Sequence, residues 1–223
     1  FPILPNLCNF VMKKTPCMEK LLNLLRLENK PWKNDFADMA IELMSNYIIK
    51  KGNIVYEFAE IEFYLYCEEH KDTSVYPRYC KAGECFYHYS GMDIAFETCT
   101  DAGKIAFGGI LIRSLLKIGK SGCKELIAGP LRCKDELLNG DGAIRLERAT
   151  EEIHFELCRD VRCGITHGGK ESKPYRYYHK RDKWIREYIK PLSYTREKTV
   201  VRDQPIRETY SSAPKGKEPI LKI

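Results

Sequence analysis

The 223-residue sequence has no apolar run approaching the ~20 residues of a membrane span, so no helical membrane anchor is expected. Its opening stretch, F-P-I-L-P-N-L-C-N-F-V, is apolar but holds two prolines. It also lacks a basic n-region and an A-x-A cleavage pattern, so it reads poorly as a signal peptide. Met12-Lys13-Lys14-Thr15 has the form of a natural start, and residues 1–11 are expected to be upstream read-through or an added remnant. No C-x-x-C pair occurs among the ten cysteines. The spacings of Cys80 to Cys85 and of Cys158 to Cys163 match zinc templates poorly, so no metal is expected. Spread over a long chain, these cysteines read as reduced, mostly buried thiols of a cytoplasmic protein, with a disulfide framework and a metal site as the weaker alternatives. A strong charge bias is missing as well. With 37 basic and 31 acidic residues the net charge is +6 and the pI about 8.7, short of the pI of about 9 that marks a nucleic-acid domain. That balance permits a polyanionic partner without demanding one. No internal repeat is evident.

What is present is a globular composition: 43% hydrophobic and 11% aromatic residues, enough for a sizeable core in one domain. Met18–Leu27 predicts a short amphipathic helix. Phe36, Met39, Ala40, Leu43, Met44 and Tyr47 fall on one face of a second helix, capped by Asn34 or Asp35. Asn53–His70 is the longest strand-like stretch. Val55, Tyr56, Phe58, Ile61, Phe63, Tyr64 and Tyr66 favour a pleated strand, and Glu57, Glu60, Glu62 and Glu68 are set into it. Glu60 and Glu62 are two apart and therefore share a face. Taken alone, such a carboxylate is either solvated on the outer face or held in a site.

Further strands are expected at Phe86–Tyr89, Gly91–Phe96, Ile110–Leu116, Ile153–Leu157, Val161–Ile165, Arg176–His179 and Trp184–Tyr188. The segment L-R-C-K-D-E-L-L after Gly129-Pro130 reads as a short helix. Arg113 lies inside an otherwise buried strand, so it must be paired or must face a site. Arg196–Ile223 is rich in Lys, Arg, Glu, Pro and Ser without apolar period. The organisation expected is an N-terminal extension (1–17), one domain (18–192) and a flexible tail (193–223). The fold class is α+β, with a curved, mainly antiparallel sheet or partial barrel flanked by a few helices.

Four segments occur in an order that resembles a known family. They are I-V-Y-E-F-A-E-I-E-F-Y, G-G-I-L-I-R-S-L at 108–115, G-P-L-R-C-K-D-E-L at 129–137, and V-R-C-G-I-T-H-G-G-K-E-S-K-P-Y-R-Y-Y-H-K-R-D-K-W-I at 161–185. In that order they are similar to the alkyladenine (3-methyladenine) DNA glycosylase family, over residues 33–190. The resemblance implies hydrolysis of the N-glycosidic bond of an alkylated or deaminated purine flipped out of double-stranded DNA, by a monomer without metal or cofactor. It implies that Glu62 is the general base that activates water, with Glu60 structural. Tyr64 corresponds to the family's stacking tyrosine, and His88 stands where a second stacking aromatic is expected. Leu111 and Arg113 match residues lining the pocket. His70, by way of a shortened loop, and Arg78 match residues at the DNA.

The sequence departs from the family at the wedge. Ser90 replaces the inserted tyrosine, leaving Tyr89 or Met92 to fill the gap, since serine offers almost no apolar surface. Glu97 stands at the position of an asparagine that reads the base, and Asp93 adds another acid. These departures keep two other readings open. One is the same scaffold acting on a nucleoside or single-stranded nucleic acid. The other is a catalytically silent nucleic-acid-binding protein that uses the basic, aromatic run K-P-Y-R-Y-Y-H-K-R-D-K-W at 173–184.

Overall fold

The computed structural model describes residues 16–27, 30–34, 36–100, 105–119, 121–165 and 173–180. The expected strand at 184–188 and the tail from 193 onward lie outside the described residues, as do residues 1–15. The described chain runs through α1 (Pro16–Leu25), α2 (Ala37–Asn46), β1 (Tyr47–Lys51), β2 (Ile54–Tyr66), β3 (Cys85–His88), β4 (Gly91–Ala95) and β5 (Phe107–Ile118). It continues through β6 (Lys124–Ala128), α3 (Pro130–Leu138), β7 (Ile144–Arg148), β8 (Leu157–Asp160) and β9 (Arg176–His179).

Among the described residues the strands form a single antiparallel sheet, and three helices pack on it. β2 and β5 are its spine, paired along their length. Each shares its other edge between two strands. β2 takes β1 at 54–57 and β9 at 60–62, while β5 takes β4 at 109–111 and β6 at 114–118. β3 extends the sheet beyond β4, β7 beyond β1 and β8 beyond β9. The result is a mostly-β domain whose sheet curls into a half-barrel.

The curl has a local cause. Between Phe58 and Ile61 the β2–β5 register shifts twice, so that Ala59 is the extra residue on β2 and Arg113 the extra residue on β5. Paired bulges bend the strands and raise their twist. They also switch the phase of alternation. Tyr56 and Phe58 face the core before the bulge, and Ile61, Phe63 and Leu65 face it after. Glu60, Glu62 and Tyr64 therefore occupy the opposite face.

The core is aromatic. The Phe36 ring stacks on Phe63 at 4.6 Å and on Phe96 at 6.2 Å, with Tyr175 edge-on at 5.0 Å. Phe36 pays for this position with a left-handed backbone (φ 59°) ahead of α2. That strain is about 1–3 kcal/mol, and burying an aromatic ring offsets it. Met39, Ala40, Leu43 and Met44 of α2 and Leu21, Leu22 and Leu25 of α1 close the same core.

Four strands were not foreseen, and two expected ones are not formed. β1, β6, β7 and β8 are the additions, β8 lying between the two expected segments. Residues 153–156 are not a strand, and the Ile153 amide instead bonds the Ser45 carbonyl near the end of α2. Residues 161–165 turn rather than extend: Gly164 has φ 75° and the Cys163 amide binds a carboxylate outside any ladder. Among the eight cysteines described, all carry free thiols; Cys67, Cys80, Cys133 and Cys158 are buried, while Cys99 and Cys123 are exposed. No helix among the described residues is long and apolar enough to cross a membrane.

Candidate functional site

The face of β2 opposite the core opens into a cleft of about 620 Å³. Tyr64, Leu111 and Arg113 line it from the sheet. The 74–78 loop, the β3–β4 turn at His88–Ser90, the start of α3 at Gly129–Arg132 and the segment Cys163–Ile165 complete the wall. Glycine permits this closeness at two points. A Cβ on Gly91 would meet Leu111 Cδ1 at 2.8 Å and Pro130 Cβ at 3.0 Å, so a larger residue would push α3 off the sheet. A Cβ on Gly109 would meet the Ile94 carbonyl at 2.9 Å and Arg78 Nη1 at 3.1 Å.

Beneath the cleft surface lies Glu62, fully buried. Its Oε1 accepts the Cys163 amide at 2.7 Å, and its Oε2 accepts the Tyr64 hydroxyl at 2.7 Å and Arg113 Nη1 at 3.3 Å. A carboxylate offers about four lone-pair sites, so among the described residues one is left without a donor, on Oε1. Arg113 bridges to the second glutamate, giving Nε to Glu60 Oε1 at 3.2 Å. Glu60 is held further by Ser114 Oγ at 2.8 Å and Arg176 Nε at 3.2 Å. Two buried carboxylates are thus balanced by two buried guanidiniums, the arrangement that keeps such charges tolerable. Burial alone would push the Arg113 pKa down, but Glu62 and Glu60 more than reverse that and hold it above its ordinary value. Burial, then the Glu62 charge, raise the Tyr64 phenol well above its usual range, so its hydroxyl stays a donor.

The opposite wall carries a second polar array. His88 Nδ1 accepts the Ser90 amide at 3.2 Å, which leaves the proton on Nε2 to bond Asp93 Oδ1 at 3.0 Å. Arg78 Nη1 meets Asp93 Oδ2 at 2.5 Å, and its guanidinium lies 3.9 Å over the Phe86 ring. The His88 ring also packs at 4.9 Å from Tyr76. The Asp93 carboxylate is therefore matched by a cation and a donor rather than bare.

Of the residues singled out from the sequence, Tyr64, His88, Leu111, Arg113, Arg78 and Tyr89 line this one cleft, with Glu62 directly under its floor. Four readings are corrected. Met92 is 1% exposed and belongs to the hydrophobic core, so it does not project toward a ligand. Arg78 lines the wall, but its buried guanidinium is paired with Asp93 rather than free for a phosphate. His70 lies off the cleft. It donates Nδ1–H to the Leu65 carbonyl at 2.8 Å and accepts the Tyr175 hydroxyl at Nε2, 2.9 Å away. Glu97 is not a cleft residue; it pairs with Arg26 at 3.5 Å. Tyr89, by contrast, is 88% exposed at the tip of the β3–β4 turn.

The aromatic run at 175–179 is also inside. Tyr175, Arg176, Tyr177, Tyr178 and His179 are all buried on or beside β9 and cannot stack on a ligand from the surface. Four residues of the site escaped sequence reasoning: Arg176, Cys163, Arg162 and Asp72. Arg162 meets Asp72 at 2.6 Å across 90 residues of chain and lies 4.5 Å over the Tyr64 ring. Among the described residues no cluster of His, Cys, Asp and Glu is arranged to hold a metal ion. Comparisons with protein-family models and with curated proteins find no match to this chain.

Proposed function

We propose that this protein is an N-glycosyl hydrolase that removes a damaged purine from DNA, with the 3-methyladenine glycosylase type of scaffold. The observation that carries the proposal is the convergence of Tyr64, Arg113 and His88, from three strands, on one cleft of purine-accommodating size, with the Glu62 carboxylate bonded to Tyr64 and Arg113 beneath its floor. A base cannot react while stacked in a duplex, so it is extruded into the cleft. Tyr64 and His88 supply ring surfaces for it. Arg113 and the Cys163 amide fix the Glu62 carboxylate with one lone pair on Oε1 left for water. In the reaction the C1′–N9 bond breaks first, with its electron pair going to the purine, and the water oxygen then bonds C1′. Glu62 takes the water proton and a negative carboxylate favours the cationic sugar between the two events. The proton later reaches the departed purine through solvent. This chemistry needs no cofactor, and a cytoplasmic monomer is sufficient for it.

The test is base release from duplex oligonucleotides carrying hypoxanthine, 1,N6-ethenoadenine or 3-methyladenine. Release by the protein, with loss of about 10²–10⁴ in rate but retained binding in Glu62→Gln, is the expected result. Wild-type rates in Glu62→Gln would exclude this mechanism.

A second reading of the substrate's form has its own observation. Ser90 is tied to the Tyr76 hydroxyl at 3.3 Å and Met92 is in the core, so Tyr89 alone among the wedge candidates projects. A weak wedge favours an already unpaired base, and a single-stranded oligonucleotide included in the assay decides between the two forms.

A further inference from the structure

The buried Arg176 guanidinium takes no part in the chemistry proposed above, yet it is tied to the same groups. In the sheet Glu62 on β2 stands opposite Arg176 on β9, and Arg176 stands opposite Asp160 on β8. Cross-strand partners share a face, so the three side chains form one row that starts under the cleft floor. Arg176 is 2% exposed and spreads its planar fork over three neighbours. Nε meets Glu60 Oε1 at 3.2 Å, Nη1 donates to Cys163 Sγ at 2.6 Å, and Nη2 lies 3.9 Å from Asp160 Oδ2. Among the described residues it makes no direct bond to Glu62.

Cys163 links the two. Its amide donates to Glu62 Oε1 at 2.7 Å, while its sulfur accepts Arg176 Nη1. One residue thus holds the carboxylate with its backbone and the guanidinium with its side chain. No strand holds that backbone: residues 161–165 lie just past β8, and Gly164 has φ 75°. The amide therefore stays where side chains anchor the turn. The Val161 amide bonds Asp160 Oδ1 at 2.7 Å, Arg162 reaches the Phe63 carbonyl and Asp72, and the Cys163 thiol ends on Arg176. Burial holds that thiol above its ordinary range, and the Arg176 and Arg113 charges pull it back only in part. Sulfur therefore meets the guanidinium as a neutral acceptor. The Cys163 amide sets one oxygen of Glu62, and Tyr64 with Arg113 sets the other. The direction of the remaining Oε1 lone pair follows the Cys163 peptide, and a misplacement of about 1 Å at a reacting group costs up to about 10²-fold in rate.

We infer that Arg176 is a positioning residue for Glu62 and acts through the Cys163 thiol. The inference rests on the glycosidase reading above and deepens it. Arg176 touches no substrate; it fixes the turn whose amide aims the carboxylate at water.

The experiment measures single-turnover base release from the oligonucleotides carrying hypoxanthine, 1,N6-ethenoadenine or 3-methyladenine. Two quantities are read: the rate at saturating protein and the protein concentration that gives half of it. Cys163→Ala removes the sulfur and leaves every charge and the residue's amide in place. Arg176→Lys keeps a cation for Glu60 but gives up the fork that reaches Glu60 and Sγ from separate nitrogens. Each is expected to lower the saturating rate by about ten- to a hundredfold. The half-saturating concentration should stay within about twofold of the wild type. Cys163→Ser returns an acceptor to Nη1 and should be several-fold faster than Cys163→Ala. The double variant Cys163→Ala, Arg176→Lys should be no slower than the slower single variant, since both cut the same contact. Wild-type saturating rates in the folded single variants overturn the inference and leave the glycosidase reading intact. Losses that multiply in the double variant, or a serine variant as slow as the alanine one, overturn the route through the thiol and the inference with it. Absence of base release by the wild type from every oligonucleotide overturns the glycosidase reading, and the inference falls with it.

Discussion

Arg113 stands between Glu60 and Glu62, giving Nε to one at 3.2 Å and Nη1 to the other at 3.3 Å. Both acceptors are buried on one face of β2; among the described residues Arg113 is the cation on Glu62, and it shares Glu60 with Arg176, each at 3.2 Å. Removing one member of such an array leaves an uncompensated buried charge. Arg113→Ala is therefore expected to lower unfolding free energy by about 3–5 kcal/mol. Arg113→Ala in a Glu62→Gln background should cost much less, because Arg176 then remains to balance Glu60 and no bare carboxylate is left. Urea unfolding of the four proteins, read as a cycle, measures the coupling.

His70 carries a pH dependence whose sign follows from its surroundings. Burial holds its pKa below the ordinary 6.5, and the neutral ring satisfies both nitrogens, donating to Leu65 and accepting from Tyr175. The unfolded chain therefore binds a proton at a pH where the folded chain does not. Stability should fall as pH drops through 6.5 and stop falling only below the folded pKa. His70→Gln should flatten that segment of the curve. Asp72 acts in a separate window. Burial pushes its carboxyl up, Arg162 pulls it further down, and the net value lies below the ordinary 3.8, so its stabilisation is lost only in stronger acid. Denaturant midpoints of the wild type and His70→Gln across the neutral to mildly acid range check the assignment, and parallel curves would sink it.

These buried charges mark where sequence reasoning reached and where it stopped. The period-two pattern of 53–70 was legible, and with it the strand carrying Glu60, Glu62 and Tyr64. The bulge at Ala59 was not, because an extra residue in a ladder leaves no mark in composition, yet it brings Tyr56 and Phe58 onto the same face as Ile61 and Phe63. β7 is short and charged, I-R-L-E-R, with only Ile144 and Leu146 buried, too brief a pattern to separate from a loop. Tyr47 opens β1 but also continued the helical stripe of α2, which hid the strand start. Arg162, Asp72 and Arg176 are set by pairings across the fold. Their only local signal was a charge next to β-forming residues. Met92 was misplaced because a hairpin turn beside Tyr89 and Ser90 gives no sign of which neighbour points inward.

Gly109 offers a test of how tightly the wall is built. A methyl group there would press on the Ile94 carbonyl, on Arg78 Nη1 and on Asp93 Cβ, the last two at 3.1 Å. The backbone carbonyl cannot swing aside as a flexible chain end can, so the β4–β5 pairing must shift. Gly109→Ala is expected to cost about 1–3 kcal/mol of stability and to loosen the Arg78–Asp93 pair. Gly119→Ala, where the nearest neighbour is the Cys123 carbonyl at 3.4 Å, serves as the mild control. Thermal unfolding of the two variants separates close approach within β5 from the general effect of replacing a glycine by alanine, Gly119 lying just past the end of the strand.

Tyr89 and Met92 lie three residues apart around one turn and should behave as opposites. Met92 is 1% exposed among core residues, so Met92→Ala removes packed atoms and leaves a cavity, at about 2–5 kcal/mol. Any effect of that change on nucleic-acid binding should track the loss of folded protein. Tyr89 is 88% exposed and makes no contribution to the core, so Tyr89→Ala should leave stability within about 0.5 kcal/mol. Its ring is free to stack on a base beside the cleft, a contact of about 1–3 kcal/mol, so binding should weaken by roughly tenfold or more. Tyr89→Phe and Tyr89→Trp should retain the affinity, since stacking needs the ring and not the hydroxyl. Fluorescence anisotropy with a labelled oligonucleotide, beside urea unfolding of the same variants, measures both quantities. Normal binding by Tyr89→Ala would take the turn out of the binding surface and leave recognition to the cleft alone.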